Sequence, residues 1–194
     1  MKRASWVLGV LGFVVGYLVV SFLQPVGHVR DWLAWRNVSW QEFSSSEGGF
    51  QVLFPGAPTY KKAQKETERG PVDVHLFSVR VSKEYGFAVS YGDVPPDSTP
   101  IDEQLDAARD GTLRGAGARL LSESKIALDG FPGREVRGDV RGQASVVYRI
   151  YQVNQRRYMS MAVVPVRQGS SPEIAKFLDS FQLLDRVTNI PANR

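Results

Sequence analysis

The chain has 194 residues, of which 43% are hydrophobic and 11% aromatic, and this is enough for one globular domain with a short additional segment. It contains no cysteine, which excludes disulfide bonds, thiol catalysis and thiolate metal sites. The formal net charge is +4, but Lys2 and Arg3 supply two of the positive charges, and the other basic residues are interleaved with acidic ones. Because this pattern lacks the basic stripe of a nucleic-acid binding surface, we expect no nucleic-acid partner.

The first 25 residues are predicted to anchor the chain in a membrane. Two cationic residues precede an uncharged, largely apolar stretch over residues 5–23. A helix rises about 1.5 Å per residue, so this stretch would cover roughly 28 Å, close to the thickness of the hydrocarbon core. The leading cations predict a single pass through the cytoplasmic membrane, with the N-terminus in the cytoplasm and the residues after Pro25 outside.

Two questions about this segment stay open from the sequence. Val19 and Ser21 form a weak small-x-small pair, so cleavage of the segment as a signal peptide is the alternative to an uncleaved anchor. Gly12 and Gly16 have the spacing that lets membrane helices pack closely, which would give a homodimer. Glycine is also common in membrane helices that do not dimerise, so the pair has two interpretations.

The rest of the chain is predicted to consist of three parts. A juxtamembrane linker with a short helix is expected over residues 26–46, a domain over 47–185 and a flexible tail over 186–194. The linker contains tryptophans that are typical of a membrane interface, and the polar stretch SSSEGG closes it.

Alternating apolar residues predict four strands in the first half of the domain. They cover residues 50–54, 59–69, 72–82 and 86–94. The second of these strands carries several lysines, which commonly protect the edge of a sheet from pairing with another chain. We therefore place this strand at a sheet edge.

A helix is predicted next, because the apolar residues change to helical spacing. Thr99 is expected to cap its start, Pro100 to occupy its first position and Asp102 to lie near the positive end of its dipole. Gly115 and Gly117 are expected to end it. The inward stripe is predicted to consist of Ile101, Leu105, Ala108 and either Thr112 or Leu113.

The second half of the domain is predicted to contain four more strands and a closing helix. The strands cover residues 119–128, 133–141, 144–154 and 156–166. Ser171 and Pro172 are expected to start the helix, which runs over residues 172–184. Strands interrupted by one helix and closed by another predict an α+β domain, with an antiparallel β-sheet and helices packed against it.

No catalytic, cofactor-binding or metal site is predicted. His75 lies on a strand beside Phe77 and is expected to be structural. Ser122 and Lys125 have the S-x-x-K spacing of penicillin-interacting serine enzymes, but residues three apart in a strand point to opposite faces. We therefore interpret this spacing as a coincidence.

Acidic and glycine-rich stretches are predicted to be turns and helix caps. Asp93, Asp97 and Asp102 lie close together in the sequence but lack the spacing of a calcium-binding loop. Gly115 and Gly117 follow a helix, whereas a phosphate-binding loop has to precede one.

The stretch LDGFPGREVRG, Leu128–Gly138, could also be taken for a phosphate-binding loop. It contains turn residues and no helix is predicted after it. We predict a turn over residues 129–133 that leads into a strand.

Five stretches of the chain together resemble a group of mostly uncharacterised bacterial proteins that have an N-terminal signal or anchor and one small domain. The stretches are EGGFQVLFPGAP, GFAVSYGDVP, ARDGTLRGAGARLLSESKIALDGFPGREV, RIYQVNQRRYMSMAV and SSPEIAKFLDSF. The domain of that group resembles the PsbP-like fold, which is shared by the extrinsic photosystem II protein and the envelope protein DcrB. The resemblance covers residues 47–183.

The resemblance implies a PsbP-like, or DcrB-like, α+β fold and transfers no catalytic residue and no cofactor. Relatives of this fold act mainly in binding or assembly, so it also implies a non-catalytic periplasmic domain with a protein partner in the cell envelope. The alternative is an envelope hydrolase whose cleft is not visible in the sequence.

Overall fold

The computed structural model describes residues 38–65, 70–82 and 84–184. The predicted membrane segment, with its cleavage pair and its glycines Gly12 and Gly16, lies outside the described residues, as does the predicted tail. Among the described residues, no helix is long and apolar enough to cross a membrane.

The described residues form ten β-strands and two α-helices. In chain order these are β1 Gln41–Ser45, β2 Phe50–Phe54, β3 Thr59–Lys65, β4 Val72–Arg80, β5 Gly86–Asp93, α1 Ile101–Ala116, β6 Arg119–Leu128, β7 Phe131–Val140, β8 Ala144–Val153, β9 Arg156–Pro165, α2 Pro172–Asp179 and β10 Gln182–Leu183. A short 3-10 turn, Val166–Gln168, lies between β9 and α2.

The strands form two antiparallel sheets. The larger sheet has seven strands in the order β3-β4-β5-β9-β8-β7-β6, and the smaller has three in the order β1-β2-β10. As predicted, the lysine-rich strand β3 lies at an edge; the other edge of the large sheet is β6. The prediction of an α+β domain with an antiparallel sheet and packed helices is confirmed for this part of the chain.

Both faces of the large sheet are covered. Side chains alternate along each strand, so Val146, Tyr148 and Ile150 of β8 point to one face, called here the first face, and pack with α1. Val147 and Tyr151 of the same strand point to the second face, which packs against the small sheet and α2. This explains why the central strands are apolar on both sides.

The second face is rich in aromatic residues. Phe50 and Phe54 of the small sheet, Phe177 of α2 and Phe87 of β5 are all fully buried in one hydrophobic cluster. Each such side chain contributes about 1.5–3 kcal/mol of hydrophobic free energy relative to its exposed state. The small sheet is therefore a full structural layer of the domain.

Strand β1 lies inside the predicted linker of residues 26–46. Its sequence QEFSS is mostly polar and exposed; Phe43, its one apolar residue, is half-buried, and Ser45 is buried. Gln41 pairs with Phe54 and Ser45 with Phe50, so the strand depends on pairing with β2. With one apolar residue, this segment lacks the alternation of apolar and polar residues that predicts a strand from the sequence.

Helix α1 begins differently from the prediction. Pro100 is the N-cap residue, and Ile101, expected to point inward, is 37% exposed. Thr99 makes no capping hydrogen bond, because its backbone N–H and its hydroxyl both donate to Asp97 Oδ1, at 2.9 and 2.8 Å. The helix ends at Ala116, followed by left-handed Gly117. The rest of the predicted stripe is buried: Leu105, Ala108, Thr112 and Leu113.

Helix α2 is shorter than the predicted helix over residues 172–184. It ends at Asp179, and Gln182 and Leu183 then pair with β2 as strand β10. Ser180 explains the change of direction: its hydroxyl donates to Phe177 O at 2.7 Å and accepts the backbone N–H of Leu53 at 2.9 Å. The apolar residues keep helical spacing beyond Asp179, but pairing with β2 makes the chain continue as a strand.

The turn between β6 and β7 is shorter than the predicted turn over residues 129–133. Asp129 and Gly130, with φ of 51° and 83°, form a two-residue turn, and Leu128 pairs with Phe131 across it. Gly133 lies within β7, where a Cβ atom would be 2.5 Å from Ile150 O. Close strand packing, and not the turn, therefore requires this glycine.

Candidate functional site

Aromatic and charged side chains meet on the second face, where the turn between β1 and β2 lies near β3, β4 and β5. We call this group the aromatic rim; its members are Glu47, Tyr60, His75, Tyr91 and Arg156. Strand register brings them together, because His75 of β4 lies directly opposite Tyr91 of β5. Alternation along the strands then points these side chains to the same face.

His75 forms the centre of the aromatic rim. It is 8% exposed, and its ring stacks on Tyr91 with centroids 4.4 Å apart and planes inclined by 8°. Tyr60 Oη and His75 Nδ1 share a hydrogen bond of 2.9 Å, and a carboxylate oxygen of Glu47 lies 4.0 Å from the same nitrogen. These contacts fit the structural role expected for this histidine, which holds Tyr60 in place.

Arg156 ties the aromatic rim to the turn between β1 and β2. Its guanidinium donates to both carboxylate oxygens of Asp93, at 2.6 and 2.9 Å, and to the backbone oxygen of Glu47 at 2.9 Å. The same group lies 5.0 Å from the ring centroid of Tyr91. A two-pronged ion pair and a cation–π contact therefore orient the arginine and the turn together.

The exposed part of the aromatic rim consists of a tyrosine and a carboxylate. Tyr60 is 51% exposed and the side chain of Glu47 is 77% exposed, whereas His75 and Tyr91 beneath them are buried. The rim thus presents an aromatic ring, a hydroxyl and a negative charge on a rigid base.

The environments of Tyr91 and Arg156 keep both side chains protonated at neutral pH. Burial raises the pKa of Tyr91 to about 12, and the negative charge of Glu47 acts in the same direction. A hydrogen bond to Asp93 holds the pKa of Arg156 above its usual value. At neutral pH, Tyr91 therefore keeps its proton and Arg156 its charge, so neither side chain is activated as a base or nucleophile.

Alkaline pH is expected to destabilise the domain through Tyr91. An unfolded tyrosine ionises near pH 10 and folded Tyr91 near pH 12, so the folded state holds more protons between these values. Its contribution to stability is therefore complete below pH 10 and is lost as the pH rises towards 12, at up to about 1.4 kcal/mol per pH unit. Burial likewise raises the pKa of Tyr148, Tyr151 and Tyr158.

The measurement is denaturant unfolding of the wild type and Tyr91→Phe between pH 9 and 11, with tyrosinate followed by its absorbance near 295 nm. The wild type should lose stability more steeply than Tyr91→Phe, because the variant lacks one titrating group. Equal slopes would mean that Tyr91 ionises in the folded state as easily as in the unfolded state.

An ion-pair network lies between α1 and the β6-β7 hairpin on the first face. Its members are Asp102, Asp106, Arg109, Glu123 and Arg134. The Arg134 side chain is 4% exposed; its Nε lies 3.1 Å from a Glu123 oxygen and its guanidinium also contacts Asp102 and Asp106. Arg109 contacts Glu123 from the helix. These charges compensate one another, so we assign the network to packing α1 on the hairpin.

Arg157 is a second buried arginine on the first face. It is 1% exposed, and it donates to the amide oxygens of Gln152 at 2.8 Å and Gln104 at 3.4 Å. Burial lowers its pKa to about 10, while the negative charge of Asp97 opposes this shift. The arginine connects β8, β9 and the first turn of α1.

Ser122 and Lys125 lie on opposite faces of β6, as the strand geometry predicted. Ser122 pairs with Arg137, on the second face, and Lys125 pairs with Arg134, on the first face. The Lys125 ammonium is bound by Asp102, at 2.9 Å. The two side chains therefore form no serine–lysine catalytic pair, and the version of the hydrolase hypothesis that depends on them fails.

The three aspartates of the acidic stretch bind different partners. Asp93 pairs with Arg156, Asp102 with Arg134 and Lys125, and Asp97 accepts from the hydroxyl of Thr99. In the part of the chain that the structure describes, no group of three His, Cys, Asp or Glu residues could hold a metal ion. The aspartates act as ion-pair and turn residues here.

Sequence analysis missed the aromatic rim. Its residues come from four strands and a turn, and each strand residue alone fits an ordinary alternating pattern. The sequence did contain one signal: alternation places His75 and Phe77 on the same face of β4, and Tyr91 on one face of β5. Only the strand register shows that His75 lies opposite Tyr91, because these residues are 16 apart in the sequence.

Comparison with known proteins identifies the fold. No protein-family model matches the chain, and neither does any curated protein sequence. The solution structure of cyanobacterial PsbP (CyanoP) from Synechocystis sp. PCC 6803 is similar, with a TM-score of 0.53 and 14% identity over 83% of this chain and 98% of that one. The PsbP-like fold expected from the sequence is thus confirmed, and this likeness extends to the fold alone.

A second structure, LpqN of Mycobacterium tuberculosis, is described as involved in cell envelope biogenesis. It aligns over 83% of this chain and 99% of its own, with 13% identity and a TM-score of 0.39. At this TM-score the alignment supports no structural or functional inference.

Proposed function

We propose that the chain is a membrane-anchored extracytoplasmic domain that binds or helps to assemble another protein of the cell envelope, without catalysing a reaction. Residues 5–23 would hold it to the membrane. The observation that carries the proposal is the aromatic rim, in which exposed Tyr60 is fixed by its hydrogen bond to buried His75.

The chemistry of the aromatic rim supports the proposal that it binds a protein partner. Tyrosine and arginine are enriched among residues that dominate binding energy, and such residues are effective when they are held in place before the partner arrives. Tyr60 is held by His75, and Arg156 by Asp93, so little side-chain entropy would be lost on binding. A preorganised ring beside the carboxylate of Glu47 suits a partner surface with an apolar pocket and a positive rim.

The electrostatics of Tyr91 argue against a catalytic role for this residue. Burial raises its pKa, whereas a catalytic tyrosine needs a neighbour that lowers its pKa or removes its proton. The PsbP-like fold is compatible with this role and does not define a partner.

The experiment is proximity labelling in native membranes with the labelling enzyme fused to the C-terminus of the full chain. Three forms are compared: the wild type, Tyr60→Ala and the control Val166→Ala. Val166 is also a large exposed apolar residue, at 41%, and lies outside the rim on the 3-10 turn. We expect Tyr60→Ala to lose a discrete set of labelled envelope proteins that Val166→Ala retains.

A fourth form, lacking residues 1–40, tests the anchor. It should lose membrane association and the labelled set together. If Tyr60→Ala and the wild type label the same proteins, the rim is not the contact surface, and if the wild type labels nothing above an unrelated anchored control, the assembly role is wrong.

A further inference from the structure

Strand β6 is an open edge of the large sheet. It pairs with β7 on one side, and in the part of the chain that the structure describes no strand pairs with its other side. All residues from Arg119 to Lys125 are exposed, and Leu120 and Leu121 are large apolar residues among them, at 41% and 53%. A strand edge of this kind is a template on which another strand can pair.

We propose that β6 pairs with β6 of a second copy of this chain, antiparallel, about a twofold axis at Ser124. In an antiparallel pair, residues directly opposite each other point to the same face. A symmetric pair is therefore defined by the one residue that faces its own copy. The result is a continuous sheet of two domains, with an isologous interface.

Charge selects Ser124 as this residue. A pair centred on Ser124 places Glu123 of each copy opposite Lys125 of the other. A pair centred on Glu123 would place two carboxylates together, and a pair centred on Lys125 two ammonium groups. Opposite charges facing each other across two strands are stabilising and like charges destabilising, so the Ser124 register has the lowest electrostatic energy of the three.

The β-bulge in β6 limits the length of this pairing. The register between β6 and β7 shifts between Leu120 and Ser122, so the regular edge begins at Ser122. From there, Ser122 of one copy lies opposite Ile126 of the other. Exposed Leu121 then lies opposite the second copy's Ala127, and this contact removes apolar surface of both residues from water.

The charges on β6 are already balanced within each copy. Glu123 contacts Arg109 and Arg134, and Lys125 contacts Asp102 at 2.9 Å. Charged side chains on an edge strand commonly protect it from pairing with another strand. In β6, Glu123 and Lys125 already have oppositely charged partners within their own copy. They can therefore face each other across the two copies without a large desolvation cost.

The other edge of the large sheet would repel a second copy. Strand β3 carries Lys61, Lys62 and Lys65 and no acidic residue. Asp73 compensates Lys62, at 2.8 Å, but β3 offers no acidic residue to face the lysines of a second copy. Antiparallel pairing of β3 with itself about Lys61, Lys62, Ala63 or Lys65 would place two lysines directly opposite each other. The two edges therefore differ in charge, and β6 is the one that accepts a second copy.

Disulfide crosslinking tests the register directly, because the natural chain has no cysteine. In Ser124→Cys the two thiols would lie opposite each other, with Cα atoms about 4.5–5.5 Å apart, a distance that a disulfide spans. The matched control is Ser122→Cys, which is also exposed and lies on the same strand. Its two copies would be offset by four residues, or roughly 13 Å, which is too far.

Full-length variants in membranes are treated with a mild oxidant, and the dimer is measured on a non-reducing gel. We expect Ser124→Cys to crosslink at least about tenfold faster than Ser122→Cys, since pairing raises the effective thiol concentration. A mixture of Ser122→Cys and Ile126→Cys chains should crosslink as a heterodimer. Equal rates for the two serine variants, or no dimer with Ser124→Cys, would overturn the proposal, because another partner or a random encounter would not select residue 124.

Discussion

Replacing Phe50 with alanine is expected to lower the free energy of unfolding by about 3–5 kcal/mol, the usual cost of truncating a buried aromatic side chain. The side chain is fully buried, and its ring centroid lies 5.5 Å from that of Phe181 and 5.7 Å from that of Phe77. Since these neighbours belong to different layers, movement of one element cannot close the cavity. A domain of this size has about 5–15 kcal/mol of stability, so the loss is a large share.

The matched control is Val166→Ala, because this valine is exposed and its truncation should change stability by about 0.5 kcal/mol or less. Both variants are measured by urea denaturation of the full chain, followed by far-UV circular dichroism. A cost below about 1 kcal/mol for Phe50→Ala would show that the small sheet contributes little to the core, contrary to the three-layer packing described above.

Replacing Arg134 with alanine is expected to cost about 3 kcal/mol, at the lower end of the range for breaking a buried ion pair. The variant would leave Asp102, Asp106 and Glu123 near one another without the arginine that separates them. Burial alone would lower the pKa of Arg134, but hydrogen bonding and charge attraction from these carboxylates hold it above its usual value. Two of the carboxylates are about half exposed, and water can compensate them in part, which is why we expect the lower end.

The matched control is Arg119→Ala, on the same hairpin. The Arg119 side chain is 76% exposed and lies 3.7 Å from Asp139, so its removal should cost about 0.5 kcal/mol or less. Equal losses in the two variants, measured by urea denaturation, would contradict the assignment of the network to helix packing.

Acid pH should reduce the difference between the wild type and Arg134→Ala. Hydrogen bonds from Arg134 and Lys125 hold the pKa of Asp102 below its usual value. A carboxyl group with a lowered folded pKa stabilises the folded state fully above its unfolded pKa, near 4, and loses this effect as the pH falls towards the folded pKa. The free energies of unfolding of the wild type and Arg134→Ala should therefore become more similar when they are measured below about pH 4.

The order and type of most elements could be predicted from the sequence because they depend on local patterns. Alternation revealed β2 over Phe50–Phe54 and β6 over Arg119–Leu128 with the bounds that the structure has. The change to helical spacing located α1, although not the exposure of Ile101 at its start. In each case the side chains that face the core recur at the period of the element itself.

The elements that the sequence did not reveal depend on distant partners. β1 is a polar segment and β10 continues an apparent helix, yet both pair with β2. Gly133 looked like a turn residue because the constraint on it comes from Ile150 of the neighbouring strand. Backbone hydrogen bonds to another strand can override local preference, and a local pattern carries no information about them.

The sequence by itself determined the fold class, the lysine-protected edge and the opposite orientation of Ser122 and Lys125. The tertiary structure alone decided which side chains meet: His75 with Tyr91 in the aromatic rim, and Arg134 with Asp102 in the ion-pair network. The physical reason is that periodicity determines which face a residue occupies, whereas strand register and layer packing determine what lies opposite it.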